Sequence, residues 1–259
     1  MPYMPFDLTG RAALVTGGNS GIGAGMARAL AAAGSAVAIW GRNPNTLEQT
    51  RAELAATGVP VLAAAVDVSD RTAVLTAFDA VVAEWGRVDT VVANAGVPGG
   101  VPFVDLEEEG YRAVLDVNLD GVVWTLQAAS RHMVERAGRG DAGGSLVVVS
   151  SLSALEGAPR AQAYAASKGA VLALTRGLAV ELARYGVRAN AVVPGWIQTP
   201  MTAAGHENPR FVEKVMPRIP ARRWGEPADF GGLAVYLASD ASAYHTGDEL
   251  VVDGGYAVF

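Results

Sequence analysis

Short apolar runs separated by helical stretches set the strongest limit on what this chain can fold into. AALVT (12–16) leads into GIGAGMARALAAAG, AVAIW (36–40) into NTLEQTRAELAATG, and VLAAAV (61–66) into RTAVLTAFDAVVAEWG. TVVAN (90–94) precedes a long helical segment from about Asp105 to Arg136, and SLVVVS (145–150) precedes an alanine-rich helix. VRANAVV (187–193) is followed by an irregular stretch and a helix near 227–238, and ELVVD (249–253) comes last. The runs are apolar on both faces, as in parallel strands covered by helices on two sides. Repeated β-α units with right-handed crossovers predict an α/β doubly wound sheet.

A chain of 259 residues fits this architecture as one domain, 1–259, and no Pro- or Ser-rich linker divides it. RAGRGDAGG (136–144) reads as a surface connection, whereas 195–226 is rich in Pro, Arg and aromatics and predicts a lid over a ligand. The net charge of −6 argues against a nucleic-acid partner. Without cysteine there is no disulfide framework and no thiolate metal site, and no His/Asp/Glu cluster has metal-site spacing, so no metal is expected. MPYMPFDLTGR lacks the basic and apolar regions of a secretory signal, and no uncharged apolar run approaches the ~20 residues that cross a bilayer. These features predict a cytoplasmic protein with no membrane partner.

LVTGGNSGIG (14–23) lies between the first strand and first helix, with Gly17, Gly21 and Gly23 in a GxxxGxG spacing. Such a loop can be a plain tight turn. After the first strand of a βαβ unit it predicts a dinucleotide site, with close backbone approach and free helix N–H groups for a pyrophosphate. At the end of the second strand, Gly41 takes the place where a carboxylate would bind a ribose 2′-hydroxyl, and Arg42 and Asn43 follow. An arginine there can clamp a 2′-phosphate, which favours NADP(H), with NAD(H) as the alternative.

In QAYAASKGAVLAL (162–174), Tyr164 and Lys168 stand four residues apart and so share a helix face. Ser150 and Ser151 end the fifth strand, where ligands of open α/β sheets bind, and Asn118 interrupts a helical segment as a poor helix former. Singly, these residues read as a turn cap, a packed aromatic and a solvated lysine. Together, beside a dinucleotide loop, they read as a proton-transfer site.

The set resembles the short-chain dehydrogenase/reductase family over nearly the whole chain: TGGNSGIG (16–23), DV (67–68), NAG (94–96), Asn118, Ser151, YAASK (164–168), PG (194–195), Ile197, Thr199 and TGDELVVDGG (246–255). In that family the serine lies thirteen residues before the tyrosine, which selects Ser151 over Ser150. The resemblance implies a Rossmann-type, mainly parallel seven-stranded sheet of order 3-2-1-4-5-6-7 with helices on both faces. It further implies a carbonyl reductase or 3-oxoacyl-reductase-like enzyme moving hydride between nicotinamide C4 and a ketone or secondary alcohol. Tyr164 would be the general acid/base, Ser151 would hold the substrate oxygen, Lys168 would bind the nicotinamide ribose, and Asn118 would carry a water linking Lys168 to solvent. The cofactor would lie on Gly17, Asn19, Ser20, Gly21, Ile22 and Gly23, with Arg42 and Asn43 at the adenosine ribose and Asp67 and Val68 at the adenine. Asn94, Ala95 and Gly96 would line its channel, Pro194 and Gly195 would turn over the nicotinamide, and Ile197 and Thr199 would meet the carboxamide.

A free tyrosine ionises near pH 10, and bringing it near 7 requires roughly 4 kcal/mol of differential stabilisation. Lys168 and an oxidised nicotinamide are the expected sources. Ala165, Gly169, Ala173 and Gly177 form a small-residue ridge; by the resemblance it would face a second copy in a homotetramer or homodimer, and otherwise it packs internally. The substrate pocket is expected from residues near 97–103, from 152–159 and from Trp196 onward, with Leu152, Leu155, Ala158 and Trp196 making it apolar. Phe211, Val212, Val215 and Met216 would form the inner face of a lid helix or pack on the scaffold. His206 reads as a surface residue, while Arg210 and Lys214 keep a charged substrate open. Two other functions stay in view: an NAD-linked alcohol or sugar dehydrogenase, and a non-catalytic dinucleotide sensor.

Overall fold

The computed structural model describes residues 4–259. Residues 1–3, the start of the expected domain and of the N-terminal segment, lie outside the described residues. In chain order the elements are β1 (Ala12–Thr16), α1 (Gly21–Ala32), β2 (Ala36–Gly41), α2 (Pro44–Ala55), β3 (Val61–Ala65), α3 (Arg71–Trp85), β4 (Thr90–Ala93) and α4 (Glu108–Leu115). They continue with α5 (Gly121–Gly138), β5 (Gly144–Val149), α6 (Gln162–Leu182), β6 (Val187–Pro194), α7 (Ala203–His206), α8 (Pro209–Val215), α9 (Gly231–Ala238) and β7 (Glu249–Val252). The strands form one sheet in the order β3-β2-β1-β4-β5-β6-β7, and every neighbouring pair is parallel. The doubly wound expectation therefore holds. The strand order reverses between β1 and β4, which opens a crevice at their carboxyl ends.

Strand alternation divides the core in two. Leu14 of β1 faces a cluster with Trp40, Phe78, Leu126 and Met133 beneath α3, α5 and α6. Ala13 and Val15 face the opposite cluster, with Met26, Leu30, Leu54 and Leu237 beneath α1, α2 and α9. Each fully buried side chain of this size contributes about 1.5–3 kcal/mol. Helix starts follow local chemistry: Asn43 accepts from the N–H groups of Asn45 and Thr46 with Pro44 in the first turn, and Asp70 accepts from Thr72 and Ala73.

The segment from Asp105 to Arg136 is not one helix. A short 3₁₀ turn (Phe103–Asp105) leads to α4, and one wide π turn (Asp116–Asp120) separates α4 from α5. At this turn Asn118 is turned inward and fully buried, and its amide bonds to the backbone of Val97. An inserted residue of this kind is a usual cause of an interrupted helix. The 195–226 stretch holds α7, α8 and several turns around a third cluster of Leu152, Leu172, Val193, Val215, Ile219 and Trp224. Phe211, Val212 and Met216 pack against the same cluster, so the four apolar positions in and just after α8 rest on the scaffold.

The amino ends of the central strands are held by a buried charge cluster. Asp89 accepts from Ala12 N–H (2.9 Å) and from Arg87 (2.9 and 2.7 Å), and lies 3.0 Å from the buried Arg136 guanidinium. Burial alone would raise the Asp89 carboxyl, but bonds from Arg87 and Ala12 and the charges of Arg87 and Arg136 outweigh it and hold it low. Beside them, His132 Nε2 accepts from Val88 N–H at 3.1 Å. Burial, followed by the charges of Arg136 and Arg139, lowers the His132 pKa below its ordinary value of 6.5. A lowered histidine pKa favours the neutral ring in the folded state, so its contribution is complete above pH 6.5 and declines as pH falls through that value toward the lowered one. We expect wild-type protein to be more stable than His132→Gln at pH 8, with the gap in denaturation midpoint narrowing toward pH 5.5; a gap independent of pH would contradict this.

Candidate active site

The glycine loop after β1 has left-handed backbone at Gly17 (φ 63°) and Gly21 (φ 52°), which glycine adopts without strain. A Cβ on Gly17 would lie 2.8 Å from Asn94 Nδ2, and one on Gly23 would collide with the same atom. Asn94 is a brace for this loop: its Nδ2 donates to the carbonyls of Thr16 (3.0 Å) and Gly17 (3.3 Å), and its N–H and that of Ala95 both donate to Thr16 Oγ1. Ser20 precedes α1 without making a side-chain cap, which leaves the first N–H groups of that helix available to an anion.

Beside the loop runs a cleft of about 250 Å³. Gly17, Asn19, Ser20, Arg42, Asn43, Asp67, Val68, Ala95 and Gly96 line it, together with Val97 and Val117. Its open backbone, uncapped helix end and exposed arginine fit a dinucleotide phosphate. At Gly41 a Cβ would overlap the end of the Asn19 side chain, which donates to Thr46 Oγ1 at 2.6 Å, so a carboxylate there would require Asn19 to move. Arg42 joins no ion pair among the described residues. The Ser69 hydroxyl and, more weakly, the charge of Arg42 hold the Asp67 carboxyl low.

Asn43 lines this cleft with its side chain committed to capping α2, and the remaining residues expected at the cofactor do not line it. Ile22 and Ile197 pack into the α1/α9 core, and Gly195, following Pro194 at the end of β6, lies against Asp253, 2.6 Å from a Cβ built on the glycine. Thr199 comes within 3.2 Å of a Cβ built on Gly21, so the 195–226 segment starts directly over the glycine loop. Thr199 N–H also donates to Thr202 Oγ1 at 3.0 Å, which fixes the turn at Pro200–Thr202.

β5 and α6 assemble the polar end of the crevice. Ser150 Oγ donates to the Lys168 carbonyl at 2.9 Å, and Ser151 Oγ accepts from Ser153 N–H at the start of the turn Leu152–Ala154. Lys168 is buried, and its Nζ donates to the Val149 carbonyl at 2.8 Å while standing 5.7 Å from the centre of the Tyr164 ring. Burial brings the Lys168 pKa down to about 8. Burial also pushes the Tyr164 phenol up, against a smaller downward pull from the Ser151 hydroxyl. The expected acidification of Tyr164 by Lys168 is therefore not achieved by the protein groups alone. Both ionised forms have lost water, and the nearest partner of the ammonium is a carbonyl rather than the phenol oxygen.

Asn118 joins the pair from below. Its Oδ1 accepts from Val97 N–H (2.8 Å), and its Nδ2 donates to the Val97 carbonyl (3.0 Å) and Ser167 Oγ (3.4 Å). Ser167 Oγ in turn donates to the Tyr164 carbonyl at 2.7 Å. A Cβ on Gly96 would lie 3.3 Å from Asn118 Oδ1 and 3.6 Å from Lys168 Nζ, so Gly96 is where the cleft meets the polar groups. Val97 and Val117 belong to no motif; their only sequence signal is adjacency to Gly96 and Asn118. Ser167 lies inside YAASK, but nothing in that motif singled it out.

Above this end, Trp196 meets Phe211, Trp224 and Tyr256 edge-on at 5.1, 5.7 and 6.3 Å. His206 is exposed, rests edge-on against Trp224 and shares a hydrogen bond with Gln198. Among the described residues no His/Cys/Asp/Glu group is arranged to hold a metal ion, and no helix is long and apolar enough to cross a membrane.

Comparison with known proteins adds relatives that span the whole unit. A family model described as enoyl-(acyl carrier protein) reductase matches residues 17–257. A 5-keto-D-gluconate 5-reductase of Escherichia coli (strain K12) is 37% identical over 258 residues, covering 98% of each chain. A sorbose reductase of Schizosaccharomyces pombe is 40% identical over 258 residues, covering 97% of each. The crystal structure of a gluconate 5-dehydrogenase from Burkholderia cenocepacia J2315, in complex with NADP and tartrate, is 36% identical, covers 98% of each chain and superposes with a TM-score of 0.92. With the glycine loop, the seven-stranded order and the Ser/Tyr/Lys placement in one chain, these matches show that the protein belongs to the short-chain dehydrogenase/reductase family of oxidoreductases.

Proposed function

We propose that the protein is an NADP(H)-dependent oxidoreductase that interconverts a ketone of the sugar or sugar-acid type and its secondary alcohol. The observation that carries this is the meeting, at Gly96, of the cleft beside the glycine loop with buried Lys168 and Asn118, one helical turn from Tyr164. A bound nicotinamide would supply the hydride and, in its oxidised form, a positive charge. Tyr164 donates its phenolic proton to the substrate oxygen in reduction and removes it in oxidation. Ser151 holds that oxygen by a hydrogen bond and limits its orientation. Lys168, near its pKa at physiological pH, restores the proton on the tyrosine side, and Asn118 fixes the backbone by which Lys168 reaches solvent. Arg42 takes the 2′-phosphate, supported by the NADP named with the solved relative.

Residues 195–226 serve as the lid, with Trp196 as its inner wall. Substrate names of the relatives, gluconate, 5-ketogluconate and sorbose, support a polyhydroxylated substrate. A homotetramer or homodimer is supported by the outer face of α6: a Cβ on Gly169 or Gly177 would meet nothing within 4 Å, and Val180 is 83% exposed. A cytoplasmic location accords with use of a reduced dinucleotide.

Two experiments test the reading. Tyr164→Phe should lower turnover by about 10²–10⁴-fold while dinucleotide affinity stays within about threefold; turnover that persists would remove the tyrosine from its role. Arg42→Ala should cost about tenfold or more in kcat/KM for NADPH and far less for NADH. Equal losses with the two cofactors would contradict a 2′-phosphate contact.

A further inference from the structure

We propose that Arg160 anchors a carboxylate of the substrate, so that the site prefers keto acids to the matching uncharged ketoses. The inference rests on the reading of the site as a ketone reductase and goes further by naming the group that selects among ketones.

Beside Tyr164 is a small second cavity of about 110 Å³. Its walls are the loop after β4 (residues 98–101), the apolar side of α4 with the residue Leu106 before it, and the start of α6. It shares a wall with the proposed proton donor: a Cβ on Gly99 would lie 3.3 Å from Tyr164 Cβ, while one on Gly100 would meet nothing within 4 Å. Two glycines in sequence thus leave room next to the tyrosine that side chains would have filled. Arg160 is the one charged residue lining this cavity, and Gln162 is a polar neighbour.

Three observations make Arg160 more than a surface cation. Its backbone is left-handed (φ 65°), one of only two such non-glycine residues among the described residues. A long side chain there is disfavoured where glycine or asparagine would sit readily. Its guanidinium, exposed at the cavity, has no carboxylate partner among the described residues, a state it shares with Arg42 at the dinucleotide cleft. Two other arginines that lack a carboxylate partner are engaged elsewhere: Arg218 stacks on Tyr256 at 4.2 Å, and Arg222 donates to the Pro217 carbonyl. A planar carboxylate matches the fork of a free guanidinium with two parallel hydrogen bonds. The carbon chain of the substrate then passes Gly99 toward Tyr164.

5-Keto-D-gluconate and L-sorbose give a matched pair, differing by a carboxylate in place of one hydroxymethyl group. With NADPH, the wild-type protein should show about tenfold or higher kcat/KM for the acid than for sorbose. Arg160→Gln should lower that ratio by about tenfold or more, chiefly through KM for the acid, and Arg160→Lys should recover part of it. Arg160→Gly should lose the ratio as Arg160→Gln does while raising the melting temperature, because glycine tolerates the left-handed backbone. That combination separates ligand binding from a structural role. A wild type that does not favour the acid, or a ratio equal in wild type and Arg160→Gln, would overturn the proposal. Absence of NADPH oxidation with every ketone in a broad panel would instead overturn the reductase reading on which it stands.

Discussion

The arrangement of the site depends on one bond, from the buried ammonium of Lys168 to the last carbonyl of β5, Val149. An ammonium brought from an ordinary 10.5 to about 8 by burial costs the fold about 3 kcal/mol at neutral pH. The carbonyl offsets part of that cost and in doing so ties α6 to the end of the strand. Ser150 makes a second tie in the opposite sense, from its hydroxyl to the Lys168 carbonyl. With both in place α6 cannot slide along β5, and Tyr164, one turn earlier, is fixed over the crevice. The stability that permits this expense comes from the two apolar layers and from the Asp89 cluster at the far ends of the strands.

The wide turn at Asp116–Asp120 matters for the same reason. Its inward asparagine bonds both the N–H and the carbonyl of Val97 and, through Ser167, reaches the backbone of Tyr164. The loop after β4 and the helix α6 are thereby held at one distance, with Gly96 between them. A side chain at 96 would press on Asn118 and Lys168, and one at 41 on Asn19. Glycine at these two positions shapes the cleft: Gly41 beside Arg42 at one end, Gly96 toward Lys168 at the other.

Much of this was legible in the sequence. The strands are short apolar runs, the central five mostly buried on both faces, so their limits follow within about a residue of what hydrophobic pattern suggests. Tyr164 and Lys168 share a face by helical spacing alone. Asn43, expected at the adenosine ribose, caps α2 instead, a role that the Asn-Pro pair made readable locally. The π turn was not, because one buried amide causes it and its partner, Val97, lies 21 residues away. Nor was the balance at Tyr164, since it depends on Gly99 after β4 and Ser151 after β5, which no local pattern brings to the helix. Packing of Phe211 and Val215 against Trp224 likewise needed the turn at Met216–Arg218 to bring them together.

The central claim is that the folded protein by itself keeps the Tyr164 phenol protonated, so that its ionisation belongs to the complex with an oxidised dinucleotide. Ultraviolet titration of cofactor-free wild type against Tyr164→Phe tests this most directly. The account predicts no phenolate difference signal until the pH rises above about 10, the ordinary tyrosine value. A phenolate signal from Tyr164 appearing near neutrality in the cofactor-free protein would contradict it.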